Sequence, residues 1–154
     1  MTLLLHTGAP TARIGIADEE TVVARHEFPA SRSLASLLAE EIQSLLQTTN
    51  SKPQALKRVI VHAGPGGFTG LRIGVTTANT LAYALGIPVV GVAGDVSDLD
   101  SLLAKSRNAK PAERNLAIPL YAKEPVIGVV PGIGTPSPRA DSSLEKDSST
   151  RIDT

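Results

Sequence analysis

The stretch Val59-Ile60-Val61-His62-Ala63-Gly64-Pro65-Gly66-Gly67-Phe68-Thr69-Gly70-Leu71-Arg72-Ile73-Gly74 constrains this chain more than any other. Its apolar, β-branched start predicts a buried strand, its glycines and Pro65 a turn, and the residues from Leu71 a helix. A strand, a glycine loop and a helix in that order often hold phosphate, because a helix start offers free N–H groups and the positive end of its dipole. Spacing excludes two versions of such a site. The fifth residue after Gly64 is Thr69 rather than glycine, and no Gly-Lys-Ser/Thr follows, so this is not a Walker A loop. Gly64 and Gly66 match the first glycines of the dinucleotide fingerprint, but the third position falls on Thr69. On the residues alone two readings stay open: a ligand site at Gly64, Gly66, Gly67, Thr69 and Gly70, or a tight turn that launches a closely packed helix.

The elements around this stretch follow from periodicity. Leu3-Leu4-Leu5 predicts a buried strand ending at Thr7-Gly8, Ala12 to Ala17 a half-buried strand, and Thr21 to Phe28 a third, stopped by Pro29. Leu34, Leu37, Leu38, Ile42, Leu45 and Leu46 recur at helical steps, which predicts an amphipathic helix over Ser33 to Gln47. The fourth strand lies within Leu56 to Ala63. The second helix runs from Leu71 to Leu85, with Gly86 as its C-cap and Pro88 beyond. Val89 to Val92 reads as a central parallel strand. A short helix follows over Val96 to Lys105, capped by Asp95 or Ser97. Three antiparallel strands and then two crossover units predict an α/β, ribonuclease-H-like mixed five-stranded sheet in a single lobe.

Residues 1–105 form that expected lobe, and 106–133 a connector and C-terminal segment packed on it. Residues 134–154 hold Leu144 and Ile152 as their only large apolar side chains, which predicts a disordered tail. The 154 residues carry fifteen basic and fifteen acidic side chains, a balance that argues against nucleic-acid binding through net charge. The absence of cysteine removes disulfide and thiolate chemistry. No cationic segment followed by an apolar run opens the chain, and the charge-free run Ile73 to Gly94 is interrupted by Gly86-Ile87-Pro88 and made polar by Thr76, Thr77, Asn79 and Thr80. No leader and no membrane span are expected. His6, His26 and His62 show no partner at ligand spacing, so no metal and no cofactor is expected. Lys105, Arg107, Lys110 and Arg114 make a small basic cluster that reads as a solvated connector.

Gly64-Pro65-Gly66-Gly67-Phe68-Thr69-Gly70-Leu71-Arg72-Ile73-Gly74 resembles the Gly-Pro-Gly-Ser-Phe-Thr-Gly-Leu-Arg-Ile-Gly segment of the bacterial TsaB (YeaZ) family. Leu81-Ala82-Tyr83-Ala84-Leu85-Gly86-Ile87-Pro88-Val89-Val90-Gly91-Val92 resembles its continuation. The resemblance covers about Met1 to Leu103 and implies an actin/Hsp70-like, ribonuclease-H-like fold. It also implies a cytoplasmic, noncatalytic role in forming N6-threonylcarbamoyladenosine at position 37 of tRNA. Such proteins pair with the transferase subunit TsaD, help assemble it with the ATPase TsaE, meet tRNA only indirectly, and form homodimers in isolation. The family's peptidase M22 label finds no support in these residues.

Two departures stand out. His6-Thr7-Gly8 replaces the usual Asp-Thr-Ser/Ala, removing the carboxylate that nucleotide-binding relatives keep for magnesium-phosphate. The second lobe is missing between Lys105 and Asn115, and Ile118-Pro119-Leu120-Tyr121-Ala122 resembles the Pro-x-Tyr-Leu-Arg stretch near the family's C-terminus. In the family TsaD is met through the first two helices. That places the expected interface on Leu34, Leu38, Leu45, Leu71, Arg72, Gly74, Val75, Ala78, Leu81, Ala82 and Leu85, with the small residues Gly74, Ala78 and Ala82 allowing close helix approach.

Overall fold

The computed structural model describes residues 1–121. The order is β1 (Thr2–His6), β2 (Thr11–Asp18), β3 (Thr21–Pro29), α1 (Leu34–Thr48), β4 (Arg58–Gly64), α2 (Phe68–Leu85), β5 (Val89–Ala93) and α3 (Leu99–Ser106). Short 3-10 turns occupy Pro53–Ala55 and Glu113–Asn115. The expected tail over 134–154 and the apolar piece Val126 to Val130 lie outside the described residues.

The five strands form one sheet in the order β3-β2-β1-β4-β5. β1 runs antiparallel to β2 and parallel to β4, and β5 runs parallel to β4. This is the ribonuclease-H-like arrangement that the element order predicts. The unbroken apolar run of β1 follows from its place: every residue of the strand is buried, because both faces of the sheet are covered. Leu3, Leu5, Val59 and Val61 pack with α1 and α2 on one face. Leu4, Ile60 and Val92 pack with Leu99, Leu102 and Leu103 of α3 on the other. Each fully buried leucine contributes roughly 1.5–3 kcal/mol relative to exposure.

Several boundaries differ from expectation, each for a local reason. α2 begins at Phe68 rather than Leu71, because Gly67 already takes the extended N-cap conformation. α3 begins at Leu99, not Val96: Asp98 is the cap, and its side chain accepts from the Ser101 N–H in a capping box. β3 continues through Pro29, which pairs with Thr11; β3 is an edge strand, where a missing N–H is tolerated. β5 is also an edge strand rather than a central one.

Part of β5 is nevertheless covered by the segment Asn115–Tyr121. The Asn115 side chain accepts from the Val89 N–H at 2.8 Å and donates to the Ile87 carbonyl at 3.0 Å. Asn79 of α2 brackets Ala117, donating to its carbonyl at 3.0 Å and accepting from its N–H at 2.8 Å. The Leu120 N–H donates to the Ala63 carbonyl at 2.6 Å. Gly91 makes this approach possible, since a Cβ there would lie 3.3 Å from that of Ala117.

Candidate functional site

The glycines of the opening motif make room for the chain's own β1–β2 turn. The Gly67 N–H donates to the Gly8 carbonyl at 2.7 Å, and a Cβ on Gly66 would stand 2.8 Å from that same oxygen. A Cβ on Gly70 would overlap the Thr7 carbonyl, and one on Gly74 the Thr7 hydroxyl. That hydroxyl donates to the Gly70 carbonyl at 2.6 Å. The first two turns of α2 are thus pressed onto Thr7-Gly8, which supports the reading of a tight turn that sets a closely packed helix.

Beside this contact lies a cavity of about 450 Å³ lined by Thr7 to Pro10, Ala30, Ser31, Leu34 and Gly67 to Gly70. Of the glycine-loop residues weighed as a ligand site, Gly67, Thr69 and Gly70 reach it, whereas Gly64 and Gly66 are not among its lining residues. None of the lining side chains carries a charge. His6, at the position where the resemblance implies a carboxylate, serves the opposite face of the sheet. It is buried, and its Nε2 donates to the Val96 carbonyl at 3.1 Å.

Most of the residues expected at the helix interface lie on the inner side of α1 and α2. Leu34, Leu38, Leu45, Leu71, Gly74, Val75, Ala78 and Ala82 are buried within the described chain itself. The stripe Gly74-Ala78-Ala82 faces the sheet and Thr7, because small residues let a helix approach its own strands as readily as another helix. Arg72 is exposed, and Leu81 and Leu85 are half-buried.

What α1 and α2 do present outward is a groove of about 580 Å³. Its deep residues are Ile42, Leu46 and Leu56, all buried, with Leu81 half-buried beside them. Ala39, Gln43, Gln47, Ser51, Pro53, Thr76, Thr77 and Thr80 complete the walls, and Lys52 is the one charged residue of the lining. These polar wall positions were not legible as a site, because Gln and Thr on a helix read as ordinary solvent contacts. The signal that could have marked them is the absence of charge along α2 after Arg72.

Other charged and titratable residues have structural partners. Arg107 pairs with Glu20 at 3.1 Å, and the Lys105 ammonium donates to the Asp95 carbonyl, so half of the basic cluster is engaged. Arg25 pairs with Asp100 at 2.9 Å. His26 pairs with Glu41 at 2.8 Å, joining β3 to α1. His6 and His62 stack on each other with ring centroids 4.6 Å apart. Both pairings join residues far apart in sequence, which is why spacing did not reveal them. No cluster of three or more His, Cys, Asp or Glu suited to a metal occurs among the described residues, and none of their helices is long and apolar enough to cross a membrane.

Against this geometry, a family model described as "TsaD: tRNA N6-adenosine threonylcarbamoyltransferase" matches residues 28–121, from the end of β3 through α1, the glycine loop, α2 and α3 to Tyr121. The tRNA threonylcarbamoyladenosine biosynthesis protein TsaB of Bacillus subtilis (strain 168) is 37% identical over 109 residues. The chain belongs to this family, in its TsaB (YeaZ) branch. That match takes in 70% of this chain and 46% of the Bacillus protein. The TsaB protein of Escherichia coli (strain K12) is 28% identical over 90 residues, 58% of this chain and 38% of that protein. The solved structure of YeaZ from Pseudomonas aeruginosa superposes with a TM-score of 0.55 at 28% identity, covering 60% of this chain and 43% of that one. This TsaB-family chain therefore spans less than half the length of these relatives, and the residues matched by the family model include the strand, glycine loop and helix unit.

Proposed function

We propose that this chain is a noncatalytic subunit of the machinery that forms threonylcarbamoyladenosine on tRNA, and that it acts by pairing with a TsaD-type transferase subunit through the α1–α2 groove. The observation that carries the reading is the groove itself. An apolar floor is walled, Lys52 apart, by uncharged side chains, most of them from the two helices that the family resemblance implicates. A partner helix laid there would bury Ile42, Leu46, Leu56 and Leu81 further without stranding a charge, apart from Lys52 at the margin, whose flexible stem keeps its ammonium in water. In isolation the same face pairs two copies of the chain, and pairing with the TsaD-type subunit helps assemble that subunit with a TsaE-type ATPase. tRNA is met indirectly, in the cytoplasm.

Copurification with the TsaD-type subunit of the same organism tests this. Thr80→Arg and Gln43→Arg change exposed wall residues and leave the core untouched, and each is expected to abolish association. Thr21→Arg, on the far edge strand, is expected to leave it intact. Retained association in both groove variants would overturn the proposal.

A second reading, a small-nucleotide enzyme or sensor, is favoured by the cavity at the start of α2. Its uncharged lining and the orientation of His6 weigh against it. Calorimetric titration with magnesium-ATP and ADP separates the two: micromolar binding supports the nucleotide reading, and no binding supports the subunit reading.

A further inference from the structure

The stacked histidines at the ends of the two central strands have no part in the proposed function, and their hydrogen bonding is incomplete. His6 and His62 are 4% and 3% exposed, and their rings lie within 9° of parallel. The Nε2 atom of His6 meets the Val96 carbonyl at 3.1 Å, and that of His62 meets the Gly94 carbonyl at 2.9 Å. A carbonyl only accepts, so each Nε2 carries the proton and each ring is a neutral donor. Both Nδ1 atoms are then bare acceptors, and both are buried without a hydrogen-bond partner among the described residues. Together with the Gly94 N–H, which donates to the Gly64 carbonyl at 2.8 Å, these bonds fasten the segment Gly94–Asp98 to the ends of β1 and β4.

We propose that the stacked His6–His62 pair is an acid-sensitive latch: while the His6 imidazole is neutral it holds the Gly94–Asp98 segment closed, and protonation of His6 releases it. A proton can add only at Nδ1, since Nε2 already holds one. The new N–H on His6 would be a buried donor offered only its own backbone, a smaller effect than burial and the neighbouring ring, and the new cation would lie against that ring. Opening the segment lets water reach that N–H, so the open form takes up the proton more readily than the closed one.

The charged groups on the surrounding elements do not offset this cost. Arg13 on β2 pairs with Glu27. Asp98 is engaged by Ser101, Asp100 by Arg25, and Lys105 by the Asp95 carbonyl. Asp95 forms no hydrogen bond to either ring. β5 carries no charged residue. Burial first, then the His62 ring, hold the His6 imidazole below its ordinary value of 6.5. The sign follows: the closed form is fully favoured above about pH 6.5 and loses that advantage as pH falls through the lowered value.

Hydrogen exchange of the Gly94–Asp98 amides in the full chain, normalised to intrinsic rates, tests the latch between pH 7.5 and pH 5. Each unit by which the closed form's pKa lies below the open form's gives about a tenfold rise in opening. A rise in opening as pH falls is expected in the wild type. It is expected to vanish in the His6→Gln, His62→Gln variant, whose amides can still donate to the same carbonyls but do not titrate. An equal rise in the variant would overturn the proposal. Ring ¹⁵N shifts of the wild type decide the matter independently of whether the variant folds. An Nε2–H tautomer of His6 that resists protonation to below pH 6.5 supports the latch; an Nδ1–H tautomer, or ordinary titration of His6, refutes it.

Discussion

The contact between α2 and Thr7 makes a strong prediction about Gly74. Alanine for glycine inside a helix ordinarily gains up to about 1 kcal/mol, because it restricts the unfolded chain. Here the added methyl would overlap the Thr7 hydroxyl, and it would stand 3.3 Å from the Thr7 Cβ and 3.4 Å from its Cγ2. Thr7 is 1% exposed and has nowhere to move without giving up its bond to the Gly70 carbonyl. Overpacking costs about 1–3 kcal/mol. An acceptor left unpaired in the interior costs about 1–3 kcal/mol more. After the helix gain, Gly74→Ala is expected to destabilise by roughly 1–5 kcal/mol, a large share of the stability of a small domain. Thr7→Ala removes the two atoms beyond Cβ. In that background Gly74→Ala should cost little, so a double-mutant cycle should give a coupling of at least about 1 kcal/mol. Urea unfolding of the four proteins measures it. A neutral or stabilising Gly74→Ala in the wild-type background, or additive single effects, would refute the claim that these glycines exist to admit the β1–β2 turn.

Two further outcomes follow from single contacts. Asn79→Ala strips both partners from the Ala117 backbone, so chymotryptic cleavage at Leu116, Leu120 or Tyr121 should accelerate while cleavage within α1 does not. The Ser101 backbone N–H and then its hydroxyl hold the Asp98 carboxyl below 3.8, so this cap stabilises the fold above that pH and the benefit is lost as pH falls through the lowered value. Asp98→Ala should therefore lower Tm at pH 7, with the difference shrinking in a pH series extended below 3.

Much of the fold was legible because its signals are local. Leu3-Leu4-Leu5 and Val59-Ile60-Val61 are continuous apolar runs, which only doubly covered strands can hide, and α1 carries a regular apolar stripe. The misreadings arose where a residue's partner is remote in sequence. Gly74, Ala78 and Ala82 have the spacing of a helix-packing seam, but spacing does not say whether the neighbour is a foreign helix or β1 of the same chain. The β5 run reads as central because it is β-branched, yet it stands at the edge; its cover comes in part from Asn115–Tyr121, a segment with no strand signature. The His6–His62 stack could not be read at all, since it depends on the parallel register of β1 and β4. The groove was half visible: the absence of charge along α2 is plain in the sequence, but most of the residues expected at a partner interface lie on the inner side of the helices.

The claim that the α1–α2 groove receives a TsaD-type subunit is tested most directly by hydrogen exchange on the assembled pair compared with the chain alone. The account predicts added protection confined to the C-terminal half of α1, around Ile42 to Gln47, and the middle of α2, around Thr76 to Leu81. Exchange at Thr21 to Phe28 and in α3 should be unchanged. Protection centred on the cavity beside Thr7 and Gly67, or on α3, with the groove left exchanging as in the free chain, would contradict it.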